Sequence, residues 1–156
     1  MSQSRRENAD QQIGPLADIL GYHFRRAWNV LRKDFEASVH DLGVRQAHIG
    51  ILSVIRANPG INQGLAGRTL DIQRANMVAL ISELSDAGWV ARGEDPGDRR
   101  AIALSLTPEG EKLLSKALER IEVHENRVFS VLSARERQSL LEMLQRLGES
   151  RPAGAE

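Results

Sequence analysis

Apolar residues recur every three or four positions through most of the chain, which is the spacing of amphipathic helices. The spacing predicts six helices, over about 14–39, 45–57, 62–70, 73–87, 107–132 and 133–148. Capping residues agree with several of these boundaries. Asn62 can cap the third helix and Gly88 can end the fourth, while Thr107 opens the fifth and Ser133 with Glu136 forms a capping box for the sixth. The chain is therefore predicted to be mainly helical.

The period of the pattern changes after Gly88. Residues 89–92 predict a short strand, and the large apolar residues of 100–106 fall on every second position, which predicts a second strand with one buried face. Between them, 93–99 contains the Gly, Pro and acidic residues of a hairpin loop. The order helix, helix, turn, helix, strand, loop, strand predicts a winged helix-turn-helix. The expected fold class is mainly α with a small β-wing.

The 156 residues are the usual size of one domain. We expect a single domain over 13–148, with the winged helix-turn-helix at about 44–107. Long helices at about 14–39 and 108–148 flank it, and 1–12 and 149–156 are predicted to be disordered tails.

Composition narrows the classes of function. The chain has no Cys, which excludes disulfides and thiolate chemistry and fits a cytoplasmic protein. No apolar run is long enough for a membrane span, and 1–12 has no apolar signal-peptide core. The formal net charge is zero, and 61–107 holds five Arg against six Asp or Glu. A surface that binds DNA must therefore arise from arginines placed on one face.

One face of the fourth predicted helix remains outside its buried stripe of Met77, Leu80, Ile81 and Leu84. In a helix-turn-helix, this helix enters the DNA major groove, where Arg can bind guanine and Gln or Asn can bind adenine. The candidate DNA-contacting residues are Gln73, Arg74, Ala75, Asn76 and Val78. The alternative is that these are ordinary exposed helix residues.

The predicted hairpin tip carries Asp98, Arg99 and Arg100. An Arg at this position can enter the minor groove, and a nearby carboxylate can orient its guanidinium. We therefore count these three residues as DNA-binding candidates. The alternative is a solvated turn with a local ion pair.

The segment Asp98-Arg99-Arg100-Ala101-Ile102-Ala103-Leu104-Ser105-Leu106-Thr107-Pro108-Glu109-Gly110 resembles the wing signature of the MarR family (multiple antibiotic resistance regulators). Residues 73–88 are similar to the recognition helix of that family, and 44–52 to its second helix, with His48 where Gln is more usual. The third helix departs from the family pattern at Gly67, where Ala is usual, which suggests close or loosened packing. The resemblance covers roughly 14–148.

The resemblance implies a homodimer in which the terminal helices of two chains interlock. Apolar stripes on those helices agree, because they exceed what one small winged module could cover; an intramolecular bundle is the alternative. It also implies a small, often aromatic and anionic effector bound between the dimer base and the DNA-binding lobes. The candidate effector-lining residues are Tyr22, His23, Arg26, His48 and Arg56. For the two histidines, a satisfied core position is the alternative, and for the arginines a solvated surface.

The function expected from these features is a sequence-specific transcriptional regulator that binds a palindromic operator in double-stranded DNA. The resemblance implies a repressor that is released by an aromatic acid or an aromatic acyl-CoA. The alternative is a winged-helix protein with an architectural or protein-interaction role and no effector. The enzyme motifs that we sought are missing, so we expect no catalytic residues and no cofactor. Four scattered His without Cys predict no metal site.

Overall fold

The computed structural model describes residues 13–94 and 102–149. The first helical region is interrupted: a 3₁₀ segment, Gly14–Asp18, precedes helix α1, Leu20–Val39. Ile19 between them is extended, with φ −93° and ψ 107°. His23 Nε2 donates to the Ala17 carbonyl oxygen at 2.6 Å, which satisfies a group that a continuous helix would have paired. The prediction of one unbroken helix over 14–39 is therefore wrong at its first turns.

The next three helices are those predicted, within a few residues. They are α2 at Gln46–Ala57, α3 at Gln63–Thr69 and α4 at Arg74–Asp86. Asn62 caps α3, because its Oδ1 accepts from the Leu65 amide at 2.8 Å. Gly88 adopts φ 76° after α4, and the Trp89 amide donates to the Leu84 carbonyl at 3.0 Å. This closure of the helix end needs a left-handed residue, which glycine supplies at little cost.

Three short strands form an antiparallel sheet in the order β1-β3-β2. They are β1 at Ile61–Asn62, β2 at Val90–Glu94 and β3 at Ile102–Leu106. The pattern missed β1, because two residues are too few to show alternation; Ile61 pairs with Leu104 of β3. Of the predicted buried face of β3, Leu104 is buried and Leu106 partly buried, whereas Ile102 is exposed.

The two C-terminal helices are α5 at Pro108–Val128 and α6 at Ala134–Glu149, joined through a 3₁₀ turn at Phe129–Val131. Thr107 Oγ1 accepts from the Gly110 amide at 3.0 Å and donates to the Gly88 carbonyl at 2.7 Å, so one side chain ties the start of α5 to the end of α4. The Ser133–Glu136 capping box is confirmed, with the Ser133 amide donating to Glu136 at 2.8 Å. Glu149 is the last residue of α6, not the first of a tail; the remaining tail residues lie outside the described chain.

The core lies in the winged helix-turn-helix at about 44–107, which we call the winged lobe, and where α5 joins it. Its members are apolar side chains with almost no exposure; the largest are Ile51, Leu52, Ile55, Met77, Ile81, Leu84, Leu104 and Leu114. Helix α1 contributes only Val39 to the fully buried set, and α6 contributes none. No helix in the described residues is both long and apolar enough to span a bilayer.

Candidate nucleic-acid interface and interhelical cavity

Helix α4 separates its faces as the sequence predicts. Met77, Ile81 and Leu84 are fully buried. Every candidate contact residue on the other face is exposed, including Val78, an apolar side chain that keeps 50% of its surface in solvent. The exposed candidates are Gln73, Arg74, Ala75, Asn76 and Val78. The first two turns of α4 are thus free to meet a large partner.

The turn between α3 and α4 is held by close backbone packing. Asp71 has φ 52°, and the Ile72 amide donates to the Gly67 carbonyl at 2.9 Å. A Cβ on Gly67 would lie 3.3 Å from the Ile72 carbonyl oxygen and 3.5 Å from Met77 Cγ. Gly67 therefore marks close packing, one of the two alternatives that the sequence left open.

Three arginines surround a concave surface beside α4. Arg68 of α3, Arg74 of α4 and Arg92 of β2 line a volume of about 590 Å³ together with Ile102 of β3. Arg92 is partly fixed, because its Nε donates to Ser85 Oγ at 3.1 Å. The chain thus combines a net charge of zero with a local cationic surface, as expected if arginines gather on one face.

Sequence reasoning found Arg74 and missed Arg68 and Arg92. Pairing the predicted strand over 89–92 with its partner strand could have placed Arg92 on the wing. The predicted wing-tip contacts Asp98, Arg99 and Arg100 lie outside the described residues.

The end of α4 is clasped to α2 by a second set of charges. Glu83 accepts from Arg45, and His48 Nε2 lies 3.0 Å from Glu83 Oε2. The Arg45 amide donates to His48 Nδ1 at 3.4 Å, and the Arg45 guanidinium Nη2 also lies 3.1 Å from His48 Nε2. Hydrogen bonds from His48 and then Arg45 lower the pKa of Glu83 below its ordinary value. We call Arg45, His48 and Glu83 the α2–α4 clasp.

A cavity of about 340 Å³ opens between α1, α2 and α5. Most of its lining is aromatic or aliphatic, with a few polar groups, which is the usual make-up of a small-molecule site. The apolar members are Trp28, Leu31, Phe35, Ile49, Ile121 and Phe129; the others are Arg32, Gln46, Gly50, Ser53, His124 and Glu125. We call this space the interhelical cavity.

His124 is the most deeply buried polar side chain of that cavity, at 5% exposure. Its Nδ1 lies 2.7 Å from Asp34 Oδ2, and Arg127 donates to the same oxygen at 2.5 Å. The ring of Phe35 stands edge-on to the imidazole, 6.1 Å between centroids. Hydrogen bonds from His124 and then Arg127 lower the pKa of Asp34 below its ordinary value.

The five residues predicted to line an effector site do not border the interhelical cavity. Tyr22 is partly buried, with the Arg25 and Arg26 guanidinium carbons 5.8 and 5.7 Å from its ring centroid. His23 and Arg56 are exposed. His48 belongs to the α2–α4 clasp, so the alternative of a satisfied core histidine describes it. Sequence reasoning missed His124, whose burial depends on contacts between helices distant in the chain.

The described residues contain no group of three His, Asp or Glu side chains arranged to hold a metal ion.

Comparison with known proteins assigns this architecture. Residues 40–101 match the profile of the MarR family. A putative transcriptional regulatory protein for the hcr operon of Thauera aromatica is 32% identical over 136 residues, which is 86% of this chain and 81% of that protein. The transcriptional repressor CouR bound to a 23-mer DNA duplex superposes with a TM-score of 0.84 at 34% identity, over 88% of this chain and 97% of CouR. CouR bound to p-coumaroyl-CoA gives 0.79 at 32% identity over the same shares. This chain belongs to the MarR family of transcriptional regulators.

Proposed function

We propose that this regulator is a repressor that binds a palindromic operator as a homodimer and leaves it when an aromatic effector enters the interhelical cavity. The observation that carries the DNA-binding part is the convergence of Arg68, Arg74 and Arg92 beside the exposed face of α4. We expect this regulator to act in the cytoplasm and to have no catalytic activity.

The arrangement suits a helix placed in the major groove. Gln73, Arg74 and Asn76 stand at the start of α4, where side chains reach base edges. Arg68 and Arg92 flank them from α3 and β2, and we expect both to contact phosphates of the duplex. Arg100, oriented by Asp98, remains the proposed minor-groove contact, with Arg99 beside it.

Two chains are needed for this mode of binding. A two-fold dimer places two recognition helices about one DNA turn apart, which demands a palindromic site. The apolar residues left exposed on α1 supply the surface for pairing, since Leu20 keeps 86% and Phe24 58% of its area in solvent. α6 supplies more, with Leu141, Met143 and Leu144 exposed.

The interhelical cavity is the proposed effector site. Its volume of about 340 Å³ suits one aromatic ring with a short chain. If the effector is an acyl-CoA, as for the CouR relative bound to p-coumaroyl-CoA, most of the coenzyme must lie outside the cavity. Arg32 lines the cavity and forms an ion pair with Glu36, in which Nη1 lies 2.6 Å from Oε1. An anionic group of the effector could displace the Glu36 carboxylate.

The residues predicted from sequence keep distinct proposed roles. Tyr22, Arg26 and His23 remain candidates for the anionic part of the effector, outside the cavity. Arg56 remains a candidate on the same ground, at the end of α2. His48 acts instead through α4: one side of α2 lines the cavity with Gln46, Ile49 and Ser53, and another side holds Glu83. A shift of α2 on ligand binding would therefore reach the recognition helix.

The test is selection of bound sequences from random DNA, followed by affinity measurements across a salt series. Arg68→Ala and Arg92→Ala should weaken binding to all sequences about tenfold and flatten the salt dependence, because each removes a phosphate contact from both half-sites. Arg74→Ala should also relax preference at symmetric positions of the operator.

Arg135→Ala is the matched control, because it removes an exposed arginine from α6, away from the cationic surface. It should leave affinity and salt dependence unchanged. Wild-type affinity in all three test variants would contradict the proposed interface. Equal binding to every selected and unselected sequence would favour an architectural role.

A further inference from the structure

We propose that Nε2 of His124 accepts a hydrogen bond from a phenolic hydroxyl of the effector, so that the interhelical cavity selects hydroxylated aromatic compounds. This inference rests on the proposed function, because it names the chemical class that the effector cavity recognises.

The two buried histidines of the described chain differ in how many ring nitrogens are engaged. His48 uses both, Nδ1 toward the Arg45 amide and Nε2 toward Glu83. His124 is equally buried at 5% exposure, yet within the described residues only its Nδ1 has a partner, Asp34. Among the described residues, no fully buried side-chain nitrogen or oxygen lacks a hydrogen bond. Nε2 of His124 must therefore reach open space.

The position of Asp34 indicates which space that is. Asp34 and Arg127 border an open groove lined by α1 and α5, and neither residue borders the interhelical cavity. His124 borders both. Its Nδ1 edge is held on the groove side by Asp34, and Nε2 lies on the opposite edge of a five-membered ring. With Nδ1 held by Asp34 in the groove, the ring can present Nε2, whose lone pair points away from Asp34, to the cavity and its aromatic side chains.

Asp34 also decides which hydrogen-bonding role the free nitrogen takes. The carboxylate stays ionised at neutral pH, since hydrogen bonds from His124 and Arg127 lower its pKa. An ionised carboxylate only accepts, so the proton of a neutral imidazole sits on Nδ1 and Nε2 offers a lone pair. In an apolar cavity, such an acceptor favours a ligand that brings an O–H, and a ligand lacking it leaves the nitrogen unsatisfied.

The experiment compares three thioesters that share the cinnamoyl skeleton and differ only at the para position: p-coumaroyl-CoA, cinnamoyl-CoA and 4-methoxycinnamoyl-CoA. Binding is followed by Trp28 fluorescence in a Trp89→Phe background, because Trp28 lines the cavity and Trp89 does not. Release of the protein from its selected operator is measured in parallel. The p-coumaroyl thioester should bind about tenfold more tightly than the other two, since only it can donate to Nε2.

Variants distinguish a His124 that recognises the hydroxyl group from a His124 that only supports the fold. His124→Leu should abolish the preference for the hydroxyl by weakening only the p-coumaroyl thioester. His124→Gln, which keeps an acceptor, should retain part of it. Asp34→Asn should reduce the preference without changing affinity for cinnamoyl-CoA, because it frees the imidazole proton. His40→Leu is the matched control, an exposed histidine outside the cavity, and should keep the full preference. If His124→Leu does not fold, the His124→Gln and Asp34→Asn results decide.

Equal affinity of the wild type for all three thioesters would overturn the role of His124 while leaving the proposed regulator intact, provided that all three release the operator. An unchanged preference in folded His124→Leu would overturn it as well. If no thioester binds, the effector cavity itself fails together with this inference. Loss of operator binding before any ligand is added would instead count against the DNA-binding proposal.

Discussion

The winged lobe and the terminal helices bury their apolar residues to very different extents. In the lobe, Ile51, Leu52, Met77 and Ile81 lose essentially all contact with solvent within one chain. On the terminal helices, large apolar side chains stay exposed; they are Leu16, Leu20, Phe24, Trp28, Val30, Leu141, Met143 and Leu144. The lobe thus holds most of the buried core, whereas the terminal helices present, within the described residues, a larger apolar surface that a second chain can cover.

The same contrast appears in the two histidine–carboxylate–arginine clusters. The α2–α4 clasp in the lobe uses both nitrogens of His48, so it is complete as it stands. The cluster between α1 and α5 leaves one nitrogen of His124 open beside a cavity. The cluster in the lobe is therefore satisfied within the chain, whereas the cluster between α1 and α5 leaves a nitrogen that the proposed effector could bind.

The largest expected effect comes from placing charge on the apolar surface of the terminal helices. The double variant Leu20→Glu/Phe24→Glu should convert the dimer that we expect at micromolar concentration into monomers, because buried unpaired carboxylates at an interface are strongly unfavourable. Affinity for a palindromic operator should fall by at least about a hundredfold, since one half-site loses its tethered partner. Sedimentation and operator titration measure the two effects.

Asn29→Glu is the control on the same helix. Asn29 is exposed, and nine residues of α-helix place it half a turn around α1 from Leu20. This variant should remain dimeric. If the wild-type protein sediments as a folded monomer, the proposed dimer surface on the terminal helices is wrong.

The second largest expected effect is a loss of stability at the contact between Gly110 of α5 and Trp89 of the lobe. A Cβ on Gly110 would overlap the Trp89 carbonyl oxygen and lie 3.0 Å from the carbonyl carbon. That carbonyl accepts from the Thr107 amide at 3.1 Å, so it cannot move without breaking the start of α5. Gly110→Ala should cost about 3 kcal/mol in the free energy of unfolding, near the upper end for overpacking.

Gly64→Ala serves as the comparison in thermal unfolding without DNA. Its added Cβ would meet only ordinary contacts, at 3.5 Å from Asn62 Oδ1. It should stabilise α3 slightly, because alanine favours a helix by about 0.5–1 kcal/mol over glycine. Equal melting temperatures for the two variants would mean that the Gly110 contact is relaxed elsewhere.

Local features of the fold were predictable, because they depend on residues a few positions apart. The caps at Asn62, Thr107 and Ser133 each rest on a side chain and an amide three residues away. The exposed face of α4 followed from its apolar period. The break at Ile19 was not predictable, because the apolar stripe runs through it without interruption.

The candidate sites were harder to predict from the sequence, since they join segments that are distant in the chain. His124 contacts Asp34, which lies 90 residues away in the sequence, and His48 contacts Glu83, which lies 35 residues away. No local pattern distinguishes a histidine with one engaged nitrogen from one with two. The cationic surface of Arg68, Arg74 and Arg92 likewise exists only once β2 is folded back beside α3 and α4.

The smallest expected effect tests the clasp of the winged lobe through its pH dependence. Glu83→Gln should lower the melting temperature at pH 7 by on the order of a degree or two, since exposed ion pairs contribute little. Its folded pKa is lowered by His48 and Arg45, so the stabilisation is present above the unfolded value of about 4.3 and is lost as pH falls through the folded pKa. The gap between the melting temperatures of wild type and variant should therefore be full above about pH 5 and narrow as pH falls through the lowered pKa of Glu83. Glu122→Gln on α5 is the control, because it makes the same change at an exposed carboxylate outside the clasp, and it should not reproduce that profile. A gap that does not change with pH over the whole acid range in which the protein stays folded would show that Glu83 stabilises α4 through packing and not through its charge.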